Sequence, residues 1–415
     1  MSYEPHALKD GTPDGFLGSL PYVGMMRQSP PSAIRAATLL FLALSSAVVA
    51  ETPAFILVGL DGKTFFEPEG GQNGPNGHDA VGIIDVSDEA RPRLVHTLPL
   101  DNSVYGPPTN LRITPDGRLG LVASSVLMRQ EGTAWYARAD DRLHVIDLAA
   151  NPPHLIESVR VGLQPSGIAI NKAGDLALVA NREGRSVTAL AIQGAAVRAV
   201  ATVDVGDEAA AVAFAPEGKR AFVAKNKAAR IGVLAIDGTT VRYESSLDIP
   251  VGPGVYGLAV TPDGTLALTG NTGPEPSDGH ADTVSVIRAD AARPVAIDHV
   301  GIGDTPEALA IAPDGRHAVV SVVRGASAPR SAPGYTPTGT VALLAIDPDS
   351  SVRRASEAEA GAVTQGIVFS PSGAYVYVGN YVDRTLGVYR VSGDTLTDTR
   401  YRLNLPGQPA SLGGR

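Results

Sequence analysis

Six apolar stretches of this chain run into the same kind of four-residue turn: Thr114-Pro115-Asp116-Gly117, Asn171-Lys172-Ala173-Gly174, Ala215-Pro216-Glu217-Gly218, Thr261-Pro262-Asp263-Gly264, Ala312-Pro313-Asp314-Gly315 and Ser370-Pro371-Ser372-Gly373. Proline presets φ for the turn and glycine accepts a positive φ at its end, so each copy reverses the chain between two strands. The turn glycines lie 57, 44, 46, 51 and 58 residues apart. With strand-type alternation throughout and few helix signals, that period belongs to four-stranded propeller blades rather than to helical repeats.

Each unit reads as a Gly/Pro loop, a short inner strand, the turn, and three further strands. The inner strands are Leu111 to Thr114, Ile168 to Asn171, Val212 to Ala215, Leu258 to Thr261, Leu309 to Ala312 and Ile367 to Ser370. A seventh second-strand copy, Leu57-Val58-Gly59-Leu60, has no inner strand before it. Its missing partner stands at the other end of the chain, where Leu405 to Leu412 repeats the phrase Val161 to Ile168. The expectation is an all-β, seven-bladed β-propeller of four-stranded antiparallel blades, its first blade closed by N- and C-terminal strands. Closure removes the free sheet edges of an open array.

Residues 34 to 50 are an apolar run ending in small residues, preceded by Arg27 and Arg35, which is the pattern of a secretory signal. We place the signal at 25–50 with cleavage after Ala50, a polar extension at 1–24, and one propeller domain at 51–415. The run is short for a bilayer span, so no stable membrane insertion is expected after cleavage, and the location is periplasmic or secreted. There is no cysteine, hence no disulfide framework. Residues 1–50 carry equal numbers of acidic and basic side chains, so the net charge of −9 belongs to the remainder. An acidic chain whose longest basic run is Arg353-Arg354 does not present the basic face that nucleic acid requires.

Tyr377-Val378-Gly379-Asn380, followed by Leu386-Gly387-Val388-Tyr389, resembles the YVTN-repeat propellers and the related lactonase-like seven-bladed propellers, over the whole of 51–415. The resemblance implies the fold and leaves the activity open. Such proteins include 6-phosphogluconolactonase-like enzymes, exported binding proteins and others of unassigned role. Lactonase-like members place His and Arg on the inter-blade loops and inner strands, and this chain has no His at an equivalent position.

Lining up the inter-blade loops assigns one mouth position to each blade: Thr109, Ser166, Ala210, Tyr256, Glu307, Gln365 and Ala410. Only Glu307 among them is ionised near neutral pH. On the inner strands Ala169, Ala213, Ala259 and Ala310 share one position with Val368, and there Arg112 stands alone as a cation. Three readings are open to it: an anion site in the central channel, with Glu307 across the ring, an internal ion pair, or a channel arginine satisfied by water. The loops between the second and third strands are brief in blades three, four and seven. Blades one, two, five and six carry insertions, at Asp61 to Asp79, Ser125 to Asp141, Thr272 to Asp282 and Val323 to Gly339. Long loops on a rigid scaffold are where binding usually resides.

These insertions hold Phe65, Phe66, Trp135, Tyr136, Arg138 and Tyr335. Aromatic and arginine side chains are common anchors of recognition surfaces. The leading expectation is therefore a non-catalytic exported propeller that binds a small ligand or a protein partner on the insertion-bearing face. Its ligand-binding residues would be Arg112, Tyr256, Glu307 and Gln365 together with those six. The alternatives are a lactonase-like hydrolase at the channel mouth, with Arg112 orienting the substrate and Glu307 as general base, and a structural envelope protein. Neither a metal site nor a cofactor is expected: Asn73 to Asp79 and Asp278 to Asp282 match no established metal loop, and one Trp cannot supply the docking motifs of quinone-dependent propellers. A monomer is expected.

Overall fold

The computed structural model describes residues 54–274 and 277–415; the expected signal at 25–50, the extension at 1–24 and the cleavage point after Ala50 lie outside them. Seven antiparallel sheets follow one another, each with its strands in chain order from inside to outside except the first. That first blade runs Gln408–Gly413, Phe55–Asp61, Ala80–Asp85, Arg93–Leu98. Leu57 pairs with Gly413, Val58 with Leu412 and Gly59 with Ser411, so the chain's last strand is the inner strand of its first blade. The inner strands touch their neighbours all the way round, and Gln408–Gly413 bridges Thr364–Phe369 to Leu111–Ile113. The ring is closed. Blade four departs from the four-strand pattern by a short extra pairing of Ile249–Pro250 with Arg230 and Ile231.

Alternation along each strand puts apolar side chains on both faces of the blade, and these bury against the two adjacent blades. The result is seven hydrophobic clusters, one at each blade junction. The junction between blades seven and one joins Ile56, Val58 and Leu412 to Tyr377, Leu386 and Val388, and exists only because the ends meet. Small residues at the inner-strand position let blades converge toward the axis, as expected.

The repeated turns have a second role that their local chemistry does not reveal. All six turn glycines have φ between 72° and 77°, the left-handed region. In addition, a Cβ built on Gly174, Gly264, Gly315 or Gly373 would lie 3.0 to 3.3 Å from Cδ of Pro115, Pro216, Pro262 or Pro313. Each of these prolines belongs to the turn of the preceding blade, so proline and glycine form a stacked inter-blade contact along the turn face. Blade three has Lys172 in place of proline, and the next glycine, Gly218, has open space beside it.

Gly218→Ala should cost about 1 kcal/mol through backbone strain alone. Gly264→Ala should cost roughly 2–3 kcal/mol, because its methyl also meets Pro216. Denaturant unfolding of both variants checks this, and equal losses would contradict the stacked contact.

Candidate functional site

Outside blade two, the mouth residues owe their direction to a defect repeated in the inner strands. Pairing of the inner to the second strand slips between Pro165 and Ile168, Ala209 and Val212, Val255 and Leu258, Pro306 and Leu309, and Thr364 and Ile367. Ser166, Ala210, Tyr256, Glu307 and Gln365 all fall inside these slips. A bulge frees a residue from the ladder and re-aims its side chain. At the mouth, Gln365 Nε2 donates to Glu307 Oε2, joining blades seven and six. On the neighbouring arc the Arg182 guanidinium stacks over Tyr256 at 5.7 Å and pairs with Glu208 at 3.3 Å.

Arg112 does not join Glu307. It faces an axial cavity of about 360 Å³ whose wall includes Thr109, Val260, Ile311, Phe369 and Leu412 but not Glu307. Pro313, Pro371 and Arg415 line its lower part, so the cavity reaches the turn face rather than the insertion-bearing one. The Arg112 Nη1 donates to the carbonyl of Leu111 at 3.1 Å, and among the described residues no carboxylate pairs with it. Burial without a counter-charge lowers its pKa to about 10. The internal ion pair considered from the sequence is thus not formed.

The insertions connect into one wall. That of blade one is a small hairpin, Thr64–Glu67 with Gly70–Asn73. In blade two the insertion is regular strand rather than loop: the second and third strands continue as Leu119–Glu131 and Ala134–Asp147, paired from Leu119↔Asp147 to Glu131↔Ala134. Alternating side chains hid this, because an exposed hairpin lacks the apolar run that marks a buried strand. Asn76 locks the two insertions together, donating to Met128 O at 2.7 Å and accepting from Met128 N at 2.7 Å. The blade-six insertion reaches the blade-one hairpin through Arg330 N to Pro68 O at 2.8 Å.

Of the expected aromatic anchors, Phe66 meets the Tyr381 ring edge-on at 5.5 Å and belongs to a small core with Val323, Ala326, Val363 and Ala410. It fastens the wall to the propeller. Phe65 packs beside Gly74 within the same hairpin. Trp135, Tyr136 and Arg138 lie on the blade-two arm, where Trp135 is half-buried and Tyr136 and Arg138 face solvent; Arg138 pairs with Glu131 at 2.5 Å. Tyr335 lines a groove of about 680 Å³ between the insertions of blades five and six, with Asp278, Asp304, Arg324 and Thr336. Among the described residues the Arg324 guanidinium makes no ion pair. Two histidines away from the mouth have structural partners: His144, on the third strand of blade two, bonds Ser158 at 2.8 Å, and His299, on the outer strand of blade five, bonds Ser285 at 2.9 Å.

Sequence reasoning missed a buried ionic network at the foot of the wall. Lys63 is fully buried, its ammonium bonded to Asp79 and to the Asn102 carbonyl, with Asp61 at 3.9 Å. Asp79 also accepts from Gly62 N and Asn102 N, both at 2.9 Å. Asp61 accepts from Tyr381 Oη at 2.7 Å, tying blade one to blade seven. Burial raises the pKa of Asp61, and the neighbouring Asp79 raises it further. Asp61 and Asp79 bracket the insertion in sequence, but a lone Lys within it carries no signal of burial.

No family model matches the chain, and no curated protein is detectably similar to it in sequence. Solved structures share its fold. They include a candidate 6-phosphogluconolactonase from Bacteroides uniformis, with TM-score 0.64 and 16% identity over 87% of this chain and 98% of that one. The periplasmic gluconolactonase of Pseudomonas aeruginosa follows at TM-score 0.60 and 17% identity, covering 87% and 98%. A functionally unknown protein from Desulfotomaculum acetoxidans has TM-score 0.62 and 13% identity, again over 87% and 98%. The likeness is one of architecture: this is a seven-bladed β-propeller.

Lys63→Met would leave two carboxylates buried without their cation, at a cost of roughly 3–5 kcal/mol at neutral pH. The raised pKa of Asp61 fixes the sign of the pH dependence. The folded state holds its proton more tightly than the unfolded state, so stability rises as pH falls toward 3.8, the ordinary value of an aspartate. Denaturant midpoints should show the variant's deficit shrinking between pH 7 and pH 4; a deficit independent of pH would contradict the network.

Proposed function

We propose that the protein is an exported, non-catalytic propeller that binds a small polyhydroxylated anion on the insertion-bearing face. The observation that carries this reading is the groove beside Tyr335. It combines an aromatic face, a cation with no ion pair among the described residues and the carboxylates of Asp278 and Asp304, all held between two insertions. An aromatic ring supports the apolar face of a sugar ring, arginine takes a carboxylate or phosphate in fork geometry, and carboxylates accept from hydroxyls. The mouth supports binding more than turnover, since Glu307 is bonded by Gln365 and no histidine stands near it on the ring.

Calorimetric titration of the protein with aldonates and sugar phosphates is expected to give saturable binding, weakened roughly tenfold or more in Arg324→Ala, the value of one charge-assisted hydrogen bond. Absence of saturable binding across that panel would remove this reading.

A second reading, a lactonase-type hydrolase, is favoured by the shared fold with the Pseudomonas gluconolactonase. In it Glu307 is the general base toward water at the mouth, and Arg112 has no part, because it faces the separate axial cavity. Lactone hydrolysis followed by proton release should then be abolished by Glu307→Gln. Failure of the unaltered protein to open any aldonolactone above the spontaneous rate would dispose of the enzyme.

A further inference from the structure

The axial cavity is a different site from the groove, and its chemistry differs as well. Arg112 is half-buried at the cavity wall, and its one hydrogen bond within the described residues goes to the Leu111 carbonyl. The guanidinium carries five N–H donors, so most of them point at the cavity or at groups that cannot answer its charge. Three residues earlier, Thr109 lines the same cavity, and its buried Oγ1 has no hydrogen-bond partner among the described residues. No Asp or Glu side chain lines this space, in a chain whose net charge is −9. One cation without a counter-charge among the described residues thus faces a volume that no carboxylate side chain lines.

Leaving such a cation uncompensated is costly, and the remaining wall limits what can compensate it. Val260, Ile311, Phe369 and Leu412 make most of it apolar, and about 360 Å³ is far more than one water or a halide occupies. A doubly charged phosphate would leave one charge in apolar surroundings, because the other cation of the wall, Arg415, sits at the turn-face end with its guanidinium against Gly117. A single carboxylate matches the guanidinium fork, and its apolar body matches the wall.

We propose that the axial cavity binds an organic monocarboxylate with a compact apolar body, the carboxylate paired to Arg112 and the body lying against Phe369, Ile311 and Leu412. Access is from the turn face, past Pro313, Pro371 and Arg415. The site is therefore independent of the groove beside Tyr335, and either can fail without the other.

The experiment titrates the full chain with benzoate and hexanoate, with benzamide as the neutral isostere of benzoate, and with inorganic phosphate and chloride. Saturable binding of both carboxylates is expected, with benzamide and the inorganic ions at least tenfold weaker. Arg112→Met keeps the side-chain volume and removes an uncompensated cation, so it should fold with a melting temperature at or above that of the unaltered protein while losing at least tenfold in benzoate affinity. Phe369→Ala, which removes the aromatic part of the wall, should weaken benzoate several-fold, and it keeps the test open if the methionine variant does not fold. Equal affinity for benzoate and benzamide, undiminished benzoate binding in either variant, binding of inorganic ions only, or no saturable binding of either carboxylate would each overturn the proposal.

Discussion

Everything in this molecule depends on a backbone ladder between the two ends of the propeller, Phe55–Asp61 against Gln408–Gly413. A blade is a twisted sheet with two apolar faces, and a single one cannot bury either. In a line of seven, the end blades would each expose one face and one sheet edge. Joining first to last buries both at once, through the cluster of Ile56, Val58 and Leu412 with Tyr377, Leu386 and Val388. Side-chain bonds then secure the seam at both faces: Tyr381 Oη to Asp61 above, and Tyr377 Oη to the Glu89 carbonyl at 2.9 Å.

Closure also creates the places where function can reside. Insertions from the two ends of the chain become neighbours only in a ring, and the contact of Arg330 with Pro68 joins the sixth blade's insertion to the first's across the short loop of the seventh. The axial cavity likewise has walls from blades five, six, seven, one and two, and no subset of these encloses it. The mouth is organised by the inner-strand bulges, which in every blade but the second turn one residue out of the ladder.

Much of the fold was legible in the chain. The turn period, the strand alternation and the repeat of Val161–Ile168 at Leu405–Leu412 yield the blade count, the sheet order and the closure, and the mouth positions follow from the same alignment. Less of the site was legible. Arg112 stood out because a small residue fills its position in the other blades, but the face on which its cavity opens is a matter of three-dimensional taper. Nothing marked Thr109, since an unpartnered hydroxyl is defined by what does not approach it. Nor did anything mark Lys63, whose partners come from both ends of its own insertion and from the segment before blade two. Phe66 was visible as an aromatic in an insertion, whereas its use as a fastener depends on Tyr381 of the seventh blade.

The sequence by itself determined the local periodic features: where the chain turns, which residues alternate, and that its last strand completes its first blade. These are set by backbone preference and by repetition, which short stretches carry within themselves. The tertiary structure alone decided which charges lost their water, which insertions touched, and on which side of the ring an arginine found space. Burial and contact between blades are properties of the closed ring, set by the convergence of residues far apart in the chain, and no single repeat contains them.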